Sequence, residues 1–174
     1  MSPAKRVAMV KEAQGSGRSF RRRRKSRSVD FAMTKGETAM LERSCGAVVV
    51  TTKEETRYYV LVKGGYVGLP KGHMEQGESE RETALREVQE ETCVKAKILP
   101  GFRRTVLYHL PNGNDKRVVY FLASYDDQEA RRNPEEFLKV MVLPYQEALR
   151  ALTFENDRMT LRAAERYLKK KQAV

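Results

Sequence analysis

Three carboxylates crowd the end of one short stretch, Arg86-Glu87-Val88-Gln89-Glu90-Glu91. Read as a helix of about 3.6 residues per turn, the spacing i, i+3, i+4 puts Glu87, Glu90 and Glu91 on one face, within an arc of about 100°. Like charges so placed repel by about 0.2–0.5 kcal/mol per pair even in solvent. A hard divalent cation turns that repulsion into ligation, because Mg²⁺ binds through a few carboxylate oxygens, water and substrate phosphate. A run of Glu is also the ordinary make-up of a solvated helix face, so the trio alone leaves both readings open. Arg86 stands four residues before Glu90 and can reach it along the helix.

The upstream spacing separates the two readings. The full pattern is Gly72-x5-Glu78-x7-Arg86-Glu87-Val88-x-Glu90-Glu91-x-Cys93-Val94. It resembles the Nudix box, the metal-binding loop and helix of the Nudix hydrolases, at eight of nine defined positions. The departure is Cys93, where the family has Gly. That position closes the helix in the left-handed region, and a Cβ there costs on the order of 1 kcal/mol. No chemistry is lost, since Gly has no side chain to give.

The resemblance implies an α/β (α+β) fold with a mixed sheet between helices. It implies that Glu87, Glu90 and Glu91 hold Mg²⁺ or Mn²⁺, joined by the backbone carbonyl of Gly72. It further implies that Arg86 orients a box carboxylate, that Glu78 supports it, and that Glu90 is the expected general base. An extra acid from outside the box is expected at Glu135 or Glu136. The implied reaction is hydrolysis of a nucleoside diphosphate linked to another group, by water attack on phosphorus.

Local signals say how these residues would be positioned. Ser79-Glu80-Arg81-Glu82 has the form of a capping box, so the helix should begin near Gly77–Ser79. Ala84, Leu85 and Val88 supply its apolar side. Ser44 to Thr51 and Thr56 to Lys63 read as strands, with 64–78 as a loop leading into the helix. Two further strands are expected at Val94–Leu99 and Phe102–Leu110. A turn at 111–114 and a partner strand at Arg117–Tyr125 follow. The last strand is expected at Phe137–Leu143, then a helix near Tyr145–Leu152 that Pro144 starts. A closing helix to about Lys171 is expected, capped by Asn156 or Asp157.

Charge divides the chain. The formal net charge is +11. Residues 1–28 carry ten Lys or Arg against one acid, Glu12, while the remainder holds twenty-four basic and twenty-two acidic side chains. Residues 1–38 thus read as a basic, disordered arm and 39–174 as the folded domain. The arm is a solvated tail, an RNA-contacting segment working through phosphates, or an organellar transit peptide; composition leaves all three open. The longest apolar runs are too short to span a bilayer. Two cysteines without metal spacing, Cys45 and Cys93, point to a reducing, cytoplasmic setting.

Flanking residues narrow the substrate. Leu69-Pro70-Lys71-Gly72-His73-Met74-Glu75 and the ending Leu152-Thr153-Phe154-Glu155-Asn156-Asp157 resemble the asymmetrical diadenosine tetraphosphate hydrolases, which yield ATP and AMP. That resemblance implies aromatic stacking on adenine, for which Tyr108, Tyr120 and Phe102 are candidates, each equally at home in a core. Lys71, Lys116, Arg103, Arg104 and Arg117 are candidates for phosphate contact. RNA 5′-pyrophosphohydrolase and diphosphoinositol polyphosphate hydrolase are the rival activities. A non-catalytic nucleotide- or RNA-binding module is the rival of another class, and the intact Arg86, Glu87, Glu90 and Glu91 count against it.

Overall fold

The centre of the sheet is a strand that can be buried on both faces. In the computed structural model, which describes residues 40–136 and 138–173, that strand is β1, Leu41–Lys53, fully buried from Ser44 to Thr51. The expected arm at 1–38, with its RNA contact, and the expected strand start at Phe137 lie outside the described residues. β1 pairs antiparallel with β2 (Thr56–Lys63) and in parallel with β6 (Asp115–Ser124). β2 takes β3 (Val67–Gly68) on one stretch and β7 (Lys139–Pro144) on another, while β4 (Lys71–His73) pairs with the start of β1. β5 (Lys97–His109) closes the far edge against β6. The sheet is therefore mixed, as expected.

Alternation along β1 sends its side chains to two cores. Cys45, Ala47 and Val49 face α1 (Glu80–Thr92), whose Ala84 and Val88 pack among Val119, Phe121 and Ala123. Val48 and Val50 face α2 (Tyr145–Ala151) and α3 (Glu155–Gln172), where Ala148, Leu152, Leu161 and Ala164 meet Tyr59, Leu61, Tyr120 and Leu122. The helices thus lie on both sides of the sheet. Among the described residues, no helix is long and apolar enough to cross a membrane.

Three local expectations need correction. The strands expected at 94–99 and 102–110 are one strand, β5, whose register slips between Leu99 and Arg103. Pro100-Gly101 makes a bulge there rather than a break, with Gly101 at φ 90°. The stretch read as a loop at 64–78 contains β3 and β4, too short to carry a periodic signal. The closing helix is not capped by Asn156 or Asp157: Phe154 stands at its N-cap without a side-chain bond, and Asp157 is buried in its first turn.

One glycine brings the box loop onto the sheet. A Cβ on Gly46 would lie 2.2 Å from the Pro70 carbonyl oxygen, which accepts a hydrogen bond from the Ala47 amide at 3.1 Å. Only a bare Cα allows that approach.

An ion pair ties α3 to β2. The Arg57 guanidinium donates to Glu165 at 2.8 and 3.2 Å, and the Tyr59 hydroxyl donates to the same carboxylate. Burial pushes the Glu165 carboxyl up, but the Arg57 and Tyr59 bonds outweigh it, so its pKa lies below the ordinary 4.5. A carboxylate held down in the fold stabilises it above its unfolded pKa and ceases to do so as pH falls through the folded value. Glu165→Ala is expected to cost about 3 kcal/mol at neutral pH, as one-sided loss of a buried pair does. Chemical denaturation should show the gap between parent and variant shrinking as pH drops below 4.5.

Candidate active site

Helix α1 is fixed at both ends by local chemistry. Ser79 Oγ accepts from the Glu82 amide at 3.3 Å, and the Glu82 carboxylate accepts from the Ser79 amide at 2.8 Å, completing the capping box. At the other end Cys93 adopts the left-handed conformation, φ 57°, and its amide donates to the Gln89 carbonyl at 2.9 Å. Cys93 therefore keeps the turn that Gly would make.

Arg86 organises the acids. Its Nε donates to Glu78 at 2.6 Å and its Nη1 to Glu87 at 3.0 Å and Glu90 at 2.9 Å. Its Nη2 donates to the His73 carbonyl at 2.9 Å and to Glu78 at 3.0 Å. Arg86, then Thr83 and the Glu75 amide, hold the Glu78 carboxyl down to about 2. Glu78 is thus a fixed counter-charge for Arg86, which a single planar fork can share among several oxygens.

The three box glutamates do not share one environment. Glu87 and Glu91 turn inward beneath β4. The Glu87 carboxylate lies against Gly72, where a Cβ would fall 2.0–2.2 Å from its oxygens. Glu91 accepts from the Lys71 amide at 3.0 Å. Glu90 turns outward, its side chain 47% exposed and held by Arg86. Burial pushes the Glu91 carboxyl up to about 8, and the charge of Glu87 adds to it. Burial also raises Glu87, against the pull of Arg86. Glu136, on the loop before β7, stands close enough to raise both. Glu135 is exposed.

As these side chains stand, no three acidic, His or Cys groups among the described residues converge on one point. The chemistry of the inward pair nevertheless fits a hard divalent cation. Both are oxygen donors, both are desolvated, and each disfavours ionisation of the other, which is the repulsion a bound cation relieves.

Lys71 stands next to residues on the α3 side of the sheet. Its neighbours are Lys116 on β6, paired in register with Tyr108 on β5, and Asp157 on α3. Burial lowers the Lys116 ammonium, and Lys71 lowers it further; its nearest acid is Glu42, at 3.8 Å. Burial raises the Tyr108 hydroxyl, with Asp157 and Glu42 adding. His73 places its Nε2 3.2 Å from Glu42 and 3.4 Å from Lys116.

Arg103 does not join this group. Strand alternation turns it to the α1 side, where it donates to Glu80 at 2.7–3.0 Å, as Arg117 does at 2.7 Å. Arg104 lies on the α3 side with its Nε buried and without a partner among the described residues. Tyr120 is 1% exposed and donates to Asp157 at 2.9 Å, so it has no free ring face. Phe102 packs on Tyr167 at 5.8 Å between centroids. The exposed ring faces belong instead to Tyr66 and Phe154, which lie 5.0 Å apart at 66% and 50% exposure. No sequence pattern links these two, since they come from a loop and a helix cap far apart in the chain.

A mixed sheet between helices, with a capped helix carrying paired carboxylates and their arginine to a cleft, defines an α+β hydrolase domain. The NUDIX domain family matches residues 40–163, and the chain belongs to that family of pyrophosphohydrolases. Over 103 residues it is 38% identical to the asymmetrical bis(5′-nucleosyl)-tetraphosphatase of Rattus norvegicus, covering 57% of this chain and 69% of that protein. Over 141 residues it is 32% identical to the ADP-ribose pyrophosphatase of Bacillus subtilis strain 168, covering 74% and 75%. Among solved structures, a C. elegans Ap4A hydrolase binary complex matches with a TM-score of 0.68 at 22% identity, over 74% of this chain and 98% of that one, a likeness of fold. Nudix hydrolases generally use divalent metals.

Proposed function

We propose that this chain hydrolyses dinucleoside tetraphosphates, with diadenosine tetraphosphate the type substrate, releasing ATP and AMP by water attack on phosphorus. The observation that carries this reading is a pair of neighbouring lysines, Lys71 and Lys116, the second half-buried and paired with Glu42 at 3.8 Å. Two neighbouring ammonium groups suit a long polyphosphate, whose several negative charges exceed what Glu42 alone offers them. Tyr108 and the exposed Tyr66–Phe154 pair are the candidate ring faces for a base.

Glu87, Glu91 and the Gly72 carbonyl would hold Mg²⁺ or Mn²⁺, with Glu90 and Glu136 completing the set from the open side. The metal, when bound, supplies positive charge to the phosphate oxygens as negative charge builds on them. Glu90, exposed and held by Arg86, takes the proton of the attacking water. Arg86 fixes Glu87 and Glu90 relative to one another. Cys45 and Cys93 are both free thiols, which supports a reducing, cytoplasmic location.

A substrate panel run in H₂¹⁸O with Mg²⁺ or Mn²⁺ tests the reading. The panel holds diadenosine tetraphosphate, ADP-ribose, triphosphorylated RNA and a diphosphoinositol phosphate. The highest kcat/KM is expected for the tetraphosphate, with ATP and AMP as products and the label in one of them. Efficient cleavage of ADP-ribose beside an inert tetraphosphate would replace this reading with that of a nucleotide-sugar pyrophosphatase.

A further inference from the structure

Glu136, which completes the metal-holding set from the open side, comes from a loop, and a loop carboxylate serves there only if the chain fixes it. The four residues Asn133-Pro134-Glu135-Glu136 have the make-up of a tight turn, with Asn first and Pro second. They form one: the Glu136 amide donates to the Asn133 carbonyl at 3.0 Å. Pro134 has no amide hydrogen, so the other donor in the turn is the Glu135 amide, which goes to the Asn133 side-chain oxygen at 3.2 Å. Asn133 thus holds both amides of the turn, one with its backbone and one with its side chain.

The turn is itself tied to the end of α1. The Arg131 amide donates at 3.0 Å to the carbonyl of Thr92, the last residue of that helix, where carbonyls have no partner within the helix. Further upstream, the Gln128 side chain accepts from the Lys95 amide at 2.8 Å and donates to the Lys95 carbonyl at 3.1 Å. Ala130 packs against the core that holds Val88 and Val94. These ties set the loop on the helix that carries the box acids, and Asn133 lines one groove with Arg86, Gln89, Glu90 and Cys93. Glu135 is exposed, while Glu136 is half-buried and close enough for its charge to act on Glu87 and Glu91.

We propose that Asn133 is a positioning residue: its side chain holds the turn that delivers Glu136 to Glu87 and Glu91, and so sets how tightly the site holds a divalent cation. It acts through Glu136 and not as a ligand. Without the side-chain bond the turn keeps one hydrogen bond of two, and the Glu136 carboxylate spreads over more positions. Groups that orient metal ligands in this way are worth about 10–100-fold in metal affinity. The inference rests on the metal-holding set given above, Glu136 included, and not on the identity of the substrate.

Calorimetric titration of the full chain with Mn²⁺, without substrate, tests it. Asn133→Ala is expected to bind Mn²⁺ about tenfold more weakly than the parent. Asn133→Ser keeps a hydroxyl that accepts from an amide in such turns, adds no charge, and should recover most of the loss. Glu136→Gln removes the charge itself and should lose at least as much as Asn133→Ala. In the Glu136→Gln background, Asn133→Ala should cost nothing further, because residues acting as one unit do not add. The metal-free Tm of each variant should stay near that of the parent, since the turn lies outside the core. Any kcat lost at low Mn²⁺ should return at high Mn²⁺, which a damaged fold would not allow. Parental affinity in Asn133→Ala, no recovery in Asn133→Ser, or a full further loss on top of Glu136→Gln would overturn the role. If Glu136→Gln loses Mn²⁺ while Asn133→Ala does not, the metal-holding set stands and this role fails. If Glu136→Gln binds as the parent does, Glu136 leaves the set and the role falls with it. If the affinities behave as expected and no tetraphosphate is cleaved, the substrate is wrong and the role stands.

Discussion

Glu91→Gln should lower kcat on a dinucleoside tetraphosphate by about a thousandfold, the scale on which removing a key electrostatic contact acts. Glu91 is the most enclosed of the three box acids, with its carboxyl pushed up to about 8 by burial and by Glu87. Gln keeps the shape and can still accept from the Lys71 amide, so the helix has no reason to move. It removes the negative charge that a cation needs. Two readouts separate this from damage to the fold. In the parent, millimolar Mg²⁺ or Mn²⁺ should raise Tm, because a ligand that binds only the folded state stabilises it. In Glu91→Gln that rise should shrink sharply, while the metal-free variant melts no lower than the parent, since a carboxyl raised to about 8 is mostly neutral at pH 7 and an amide replaces it without loss of a charge. An unchanged kcat would remove Glu91 from the metal-holding set.

The second large effect comes from a residue without a side chain. Gly72→Ala is expected to lower kcat by about a hundredfold, the penalty of misplacing a reacting group by about 1 Å. The added Cβ would lie 2.0–2.2 Å from the Glu87 carboxylate, so that carboxylate must swing away. The atoms that give way are the far end of a flexible side chain, so Tm should change little. Glu87 is also held by Arg86 at 3.0 Å, and its displacement disturbs the pair. The Mg²⁺-dependent rise in Tm should weaken with it. A variant with full activity would mean that the closeness of Gly72 and Glu87 plays no part in the reaction.

These two predictions draw on different kinds of information. Glu91 was visible in the chain itself, because helical spacing is local and the capping box at Ser79 fixes where the turns begin. The end of α1 was less plain, because Cys93 stands where Gly is usual, and the backbone makes the left-handed turn there all the same. Strands β1 and β2 were plain, because a run buried on both faces needs apolar residues at every position. The short strands β3 and β4 were not, for two or three residues carry no period and are ordered only by their partners, with Gly46 admitting the second.

The candidate ligands outside the helix show where local reasoning stops. Arg103 and Tyr108 stand five residues apart in unbroken register on one strand, so alternation sends them to opposite faces, and only the packing of helices on the sheet says which face meets α1. Tyr120 has the composition of a stacking residue and is consumed by the core, while Phe154 and Tyr66 are the exposed rings. Asp157 has the composition of a helix cap and is drawn inward by the Tyr120 hydroxyl.

Sequence by itself determined the family, the capped helix, the arginine and acids it carries, and the concentration of basic charge in residues 1–28, because each depends on residues adjacent in the chain or repeated along one element. Tertiary structure alone decided which acids are buried against Gly72 and Lys71, which lysine pairs with Tyr108 across the sheet, and which aromatics keep a free face. Those outcomes depend on register and on the packing of helices against a sheet, where a shift of one residue moves a side chain to the other side of the molecule.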